Sequence, residues 1–150
     1  MTDKRSNGFW LFLVSRAHHN FANKVFAEIG LFRGQTPVLS ELGKHEGITQ
    51  SALAEKLELT QATMTNLLKR LEASGFIHRQ RNSRDSRCSN LYLSEAGKEK
   101  LAEIRKATLH IDQAAFNGFT TAEEEVLNGF LKRIHKNLIE KINHTEEFSS

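Results

Sequence analysis

The chain has 150 residues, 39% of them hydrophobic and 26% charged, with a formal net charge of +3. That is one domain's worth of chain, long enough for a proper core, and no stretch approaches the ~20 apolar residues of a membrane span. Its single cysteine excludes an intrachain disulfide and any zinc-ribbon spacing, and fits a reducing compartment.

In chain order, the basic opening MTDKRSNGFWLFLVSRAHHN holds only a short apolar run, Phe9–Val14, without a small-residue cleavage site. It reads as the start of a helix in a cytoplasmic protein, not as a signal peptide. That first helix is expected from about Gly8 to Ile29, with Phe9, Leu13, Ala17, Phe21, Val25 and Ile29 at four-residue steps and Gly30 as its stop. A second opens with Thr36 as N-cap and Pro37 at the first helical position, buries Val38, Leu39 and Leu42, and ends at Gly47.

A third, TQSALAEKL, runs from its cap Thr49 to Leu57, and a fourth follows almost at once from its cap Thr60. In the fourth, Met64, Leu67, Leu68 and Leu71 recur at helical spacing, which leaves Gln61, Ala62, Thr63, Thr65, Asn66, Lys69 and Arg70 outside. Gly75 supplies the left-handed residue that stops it. Two strands, Phe76–Gln80 and Ser89–Leu93, then flank the loop RNSRDSRC, Arg81–Cys88.

Ser94 caps a fifth helix whose apolar positions are Leu101, Ile104, Leu109 and Ile111. A capping box, Thr121-Ala122-Glu123-Glu124, opens the last helix, with an apolar stripe of Val126, Leu127, Phe130, Leu131, Ile134, Leu138, Ile139 and Ile142.

This order predicts a mainly α fold with a small β-wing. A winged helix-turn-helix over about 36–93 is flanked by helices over about 8–30 and 94–142, in a single domain 1–150. The winged part supplies its own core, so apolar stripes on the first, fifth and sixth helices need another surface, most simply a second copy of the chain.

The segments LTQATMTNLLKRLEASGFIHR, SRDSR and LYLSEAGKEKL, with TPVLSEL before them, resemble the MarR family of bacterial transcription regulators. The wing signature Asp-x-Arg of that family appears as Asp85-Ser86-Arg87, and the likeness covers roughly residues 8–142. The resemblance implies a homodimer built from the terminal helices, pseudo-palindromic double-stranded DNA operators, and a repressor released by a small-molecule or redox inducer. It also implies an effector crevice between the winged module and the dimerisation helices, which Trp10, Phe12, His18, His19 and Phe21 are placed to line. Aromatics at this helical spacing are more often plain dimer core.

Gln61, Thr63, Thr65 and Asn66 can donate to and accept from base edges in a major groove, while Lys69 and Arg70 reach phosphates. Gln50 and Ser51, at the start of the third helix, can add phosphate contacts. From Lys69 to Ser89, six Lys or Arg face two acids, whereas residues 120–150 hold six acids and four bases, so positive potential gathers around the wing. There Asp85 is either a plain turn residue or the partner that orders Arg87, so that Arg84 or Arg87 points into a groove. Cys88 beside Arg87 reads better as a small strand residue than as a redox sensor, since the redox cysteine of comparable family members lies in the first helix.

No cofactor or metal is expected: His18 and His19 point apart on a helix, and Glu41, His45 and His110 lack a reinforcing His-x3-His or cysteine pair. No Gly-rich phosphate loop or nucleophile constellation suggests an enzyme. The alternatives are a metal-responsive regulator of the same fold and a non-specific architectural DNA-binding protein, which would not need a polar reading helix.

Overall fold

A computed structural model describes residues 5–32, 34–81, 84 and 89–143, which divide into two units, Met1–Asp112 and Gln113–Ser150. Among these residues lie six helices and a small antiparallel sheet. Helix α1 (Asn7–Glu28) starts where the Ser6 hydroxyl accepts from the Phe9 N–H, and Gly30 follows its end at φ 75°. Lys100 ties that end down by donating to the Ile29 carbonyl at 2.8 Å.

Helix α2 (Gln35–Lys44) begins differently from the expectation. Its N-cap is Gly34 at φ 86°, not Thr36, and Pro37 falls third in the helix. Pro37 is tolerated there because a first-turn N–H has no intrahelical acceptor in any case. Gly34 is needed twice over, for its left-handed backbone and because a Cβ would lie 3.1 Å from Leu67. The cap hydrogen bond comes from within: buried Gln35 turns its Oε1 back to accept from the Phe32 N–H at 2.8 Å. The helix stops at Lys44, before Gly47.

The two-residue strand β1 (Ile48–Thr49) leads into α3 (Gln50–Lys56) and α4 (Gln61–Ala73). Then come β2 (Ile77–Arg81) and β3 (Ser89–Leu93), with sheet order β1-β3-β2. Register pairs Ile48 with Leu91 and Ile77 with Leu93. A two-residue strand has no periodicity to betray it, and β1 exists because β3 offers it an edge. Phe76 is not part of β2: its N–H closes the end of α4 by donating to Leu71 O, while the Gly75 N–H donates to Glu72 O. That is a Schellman stop with Gly75 at φ 74°.

Leu39, Leu42, Leu53, Met64, Leu68, Leu71 and Leu91 are fully buried at the centre of this module. Helix α5 (Glu95–Ala115) is capped by Ser94, whose hydroxyl accepts from the Gly97 N–H at 3.0 Å and donates to the Gly75 carbonyl. Its buried stripe is Leu101, Ile104, Ala107 and Ile111, so the apolar face expected to need another surface is, at these residues, covered within one chain by its own core. Leu109, expected inside, is 59% exposed, since two residues from Ile111 is about 200° around the helix.

Helix α6 (Thr121–Asn143) has no buried residue in the single chain. Its capping box sits one residue earlier than expected. The Thr120 hydroxyl accepts from the Glu123 N–H at 3.2 Å, and Glu123 Oε2 accepts from the Thr120 N–H at 2.8 Å. Thr120/Glu123 and Thr121/Glu124 have the same spacing, so the linear pattern could not separate them. The reciprocal bond holds the Glu123 carboxyl below the usual carboxylate range. Among the described residues no helix is long and apolar enough to cross a membrane.

Candidate nucleic-acid interface

Two caps set the helix-turn-helix. Thr49 Oγ1 accepts from the Ala52 N–H at 3.3 Å at the head of α3, and Thr60 Oγ1 accepts from the Thr63 N–H at 3.2 Å at the head of α4. Between them Glu58 takes φ 53° and the Leu59 N–H donates to Ala54 O at 2.9 Å, a tight turn bought with a left-handed non-glycine residue. Met64, Leu67, Leu68 and Leu71 then face the core, and Gln61, Ala62, Thr63, Asn66, Lys69 and Arg70 face solvent.

Two residues of the expected DNA-contacting set, Thr65 and Gln50, are also engaged within the chain. Thr65 is half-buried: its hydroxyl donates to Gln61 O at 2.8 Å and accepts from Gln50 Nε2 at 2.7 Å. Gln50 Oε1 in turn accepts from Arg79 Nη1 at 3.2 Å, and Arg79 Nε donates to Glu72 Oε1 at 2.9 Å. Gln50 and Thr65 are thus joints between elements. Arg79 and Glu72, which continue the chain from Gln50, carried no local signal for this pairing, because it spans the α4 stop and the start of β2. Thr63 keeps its exposure while its Oγ1 accepts from Thr60 Oγ1 at 2.9 Å, and Ser51 Oγ lies 3.3 Å from Thr49 Oγ1.

On the wing, His78 stacks on its cross-strand partner Tyr92, ring centroids 5.7 Å apart and planes 19° apart. Arg79, Gln80 and Arg81 of β2 are exposed, as is Arg84 in the loop. Asp85, Arg87 and Cys88 lie outside the described residues.

The residues expected to line an effector crevice, Trp10, Phe12, His18, His19 and Phe21, are all exposed on α1. Phe21 meets the His110 ring at 6.0 Å. Glu41 lies 3.3 Å from His45, with Lys44 and Lys56 at 3.9 and 3.8 Å. The described residues contain no cluster of three or more metal-ligating side chains. A separate groove of about 330 Å³ runs between α2 and α5, lined by Ser40, Gly43, Lys44, Leu101, Ile104, Arg105 and Thr108.

A capped helix with a solvated polar face, set on a second helix and flanked by an antiparallel hairpin, defines a winged helix-turn-helix, a DNA-binding fold. The MarR family model matches residues 31–89. The uncharacterized HTH-type transcriptional regulator YybA of Bacillus subtilis is 30% identical over 126 residues, covering 84% of each chain. A putative transcriptional regulatory protein for the hcr operon of Thauera aromatica is 28% identical over 120 residues, covering 80% of this chain and 72% of that one. The crystal structure of the transcriptional regulator SlyA superposes with a TM-score of 0.80 at 29% identity, over 94% of this chain and 100% of that one. A mutant MarR from E. coli complexed with operator DNA shares the fold, with a TM-score of 0.75 at 21% identity over 85% of this chain and 91% of that one. The chain belongs to the MarR family of transcriptional regulators.

Proposed function

We infer that this regulator is a homodimeric repressor without catalytic activity, which reads a pseudo-palindromic duplex and is released by a small molecule. The observation that carries the DNA reading is the exposed face of α4, where Gln61, Thr63 and Asn66 present hydrogen-bonding groups around the small Ala62, with Lys69 and Arg70 one to two turns on. Small and polar side chains allow close approach to base edges, and the two cations suit phosphates. Ser51 at the head of α3 adds a phosphate contact, and Arg84, Arg87 and Asp85 serve the wing, Asp85 by ordering Arg87. Dimerisation is supported by the apolar residues that α1 and α6 each leave exposed, Phe12 and Val14 on one, Val126 and Leu138 on the other.

The groove between α2 and α5 is the better place for an effector than the exposed faces of α1. Leu101 and Ile104 make an apolar floor, while Lys44, Arg105, Ser40 and Thr108 supply two cations and two hydroxyls, a lining suited to a small anion with an apolar body.

Selection from a randomised duplex library, followed by footprinting, tests the DNA reading. The selected site should be an inverted repeat with half-sites about 10–10.5 bp apart centre to centre. Asn66→Ala should cost ~1–3 kcal/mol on that site and little on random duplex, and Lys69→Ala should weaken both alike and reduce the salt slope by about one. An asymmetric single half-site, or no enrichment, would contradict the proposal.

A further inference from the structure

The side chains Glu72, Arg79, Gln50 and Thr65 form one continuous hydrogen-bonded chain that leaves the last turn of α4, crosses to the wing strand β2, passes to the first residue of α3 and returns to the middle of α4. Its links measure 2.9, 3.2 and 2.7 Å, and the Thr65 hydroxyl extends it to the Gln61 carbonyl at 2.8 Å, within the first turn of α4. Both ends of the chain therefore lie on the helix with the polar reading face, and its middle lies on the wing.

We propose that this chain is a positioning brace, which sets the reading helix and the wing at one fixed separation so that both engage the same duplex together. The inference rests on the DNA-reading role proposed above. Two features of the fold create the need for it. The connection from α4 to β2 is the Schellman turn at Gly75, followed by a strand in which only Ile77 is buried. Beyond Ile77 the strand is held through its ladder to β3, whose buried Leu91 lies opposite Arg79 and is the last core contact of the hairpin, so the tilt of the hairpin beyond that pair is not set by core packing. Arg79 is the residue of β2 that reaches back. Its planar guanidinium can donate in two directions at once, to a carboxylate on α4 and an amide on α3, which a lysine could not do with the same geometry.

The alternative is that the chain merely supports the fold. The Arg79 and Glu72 side chains are 31% and 32% exposed, and an ion pair so open to water adds little to stability. Electrostatics also argues against Glu72 as a contact residue, because a carboxylate on a DNA-facing surface repels phosphate. Removing it should tighten binding to every duplex if charge is all that matters. The brace predicts the opposite sign for the selected site, since a freed Arg79 and Gln50 must be re-ordered each time both reading elements dock.

The test uses the full-length protein, the best duplex that wild type selects from a randomised library, and a random duplex as competitor. Glu72→Gln and Gln50→Met should each lower the ratio of selected-site to random affinity about two- to tenfold, the cost of re-ordering a side chain or two. Random-duplex affinity should hold or rise for Glu72→Gln, and melting temperature should hold for both variants. An unchanged ratio, equal weakening of both duplexes by Gln50→Met, or a ratio that falls only together with melting temperature would overturn the brace. Equal weakening would mark Gln50 as a phosphate contact, and a matching loss of stability would mark a fold support. Failure of wild type to enrich any sequence would instead defeat the DNA reading on which the brace depends.

Discussion

The winged module and the terminal helices use the same apolar spacing to opposite ends. In α2, α3 and α4 the residues at helical period, among them Leu39, Leu53 and Leu68, disappear completely inside one chain. In α1 only Val25 is buried, and in α6 none is, although Phe12, Val126 and Leu138 each leave more than half their surface open. Amphipathic spacing thus tells that a helix has an apolar face, and not whether the same chain covers it. The winged module buries its stripes within one copy; covering the apolar surface that α1 and α6 present would gain ~25 cal/mol per Å².

Substitutions on the two sides of this contrast can break it. The largest effect is expected for Leu131→Lys on α6, where Leu131 is 42% exposed in the single chain. If the chain were complete alone, a lysine there would be harmless. If a second copy covers it, the cost approaches the ~3–5 kcal/mol of an uncompensated buried charge, and dimer and folded state fail together. Sedimentation should give about twice 17.0 kDa for wild type and lose that species in the variant. A stable wild-type monomer would end the argument for a partner copy.

Leu68→Ala, inside the winged module, should cost ~2–5 kcal/mol by leaving a cavity, read as a lower urea midpoint. Gly97→Ala probes the seam between α5 and the turn that joins α4 to β2. A Cβ there would lie 1.9 Å from the Phe76 carbonyl oxygen, a backbone atom with little room to move. The expected loss is ~1–3 kcal/mol, and an unperturbed midpoint would show that α5 can slide on the wing base.

The smallest effect is at the head of α6. Thr120→Ala removes the cap hydroxyl, for ~0.5–2 kcal/mol. Because the Glu123 carboxyl is held below its usual range by the Thr120 N–H, its contribution is present above the unfolded carboxylate pKa and lost as pH falls through the folded one. Glu123→Gln should therefore match wild type in acid and fall slightly behind it near neutrality, as followed by helical circular dichroism. A difference that grew in acid would reverse the assigned sign.

What the linear chain determined are features set within three or four residues. Thr49, Thr60 and Ser94 cap the helices expected of them, Gly75 stops α4, and Met64, Leu67, Leu68 and Leu71 turn inward, because caps and stripes depend only on local geometry. The misplaced starts of α2 and α6 belong to the same class and failed where two local solutions competed, Gly34 against Thr36 and Thr120 against Thr121. Tertiary structure alone decided the rest. The two residues of β1 become a strand only beside β3, Leu109 faces out because α5 turns its other side to the chain, and Gln50 meets Thr65 and Arg79 across 15 and 29 residues. Such pairings follow from how the elements pack in space, and no periodicity along the chain encodes which polar side chain will be spent on a neighbour and which left free to meet a ligand.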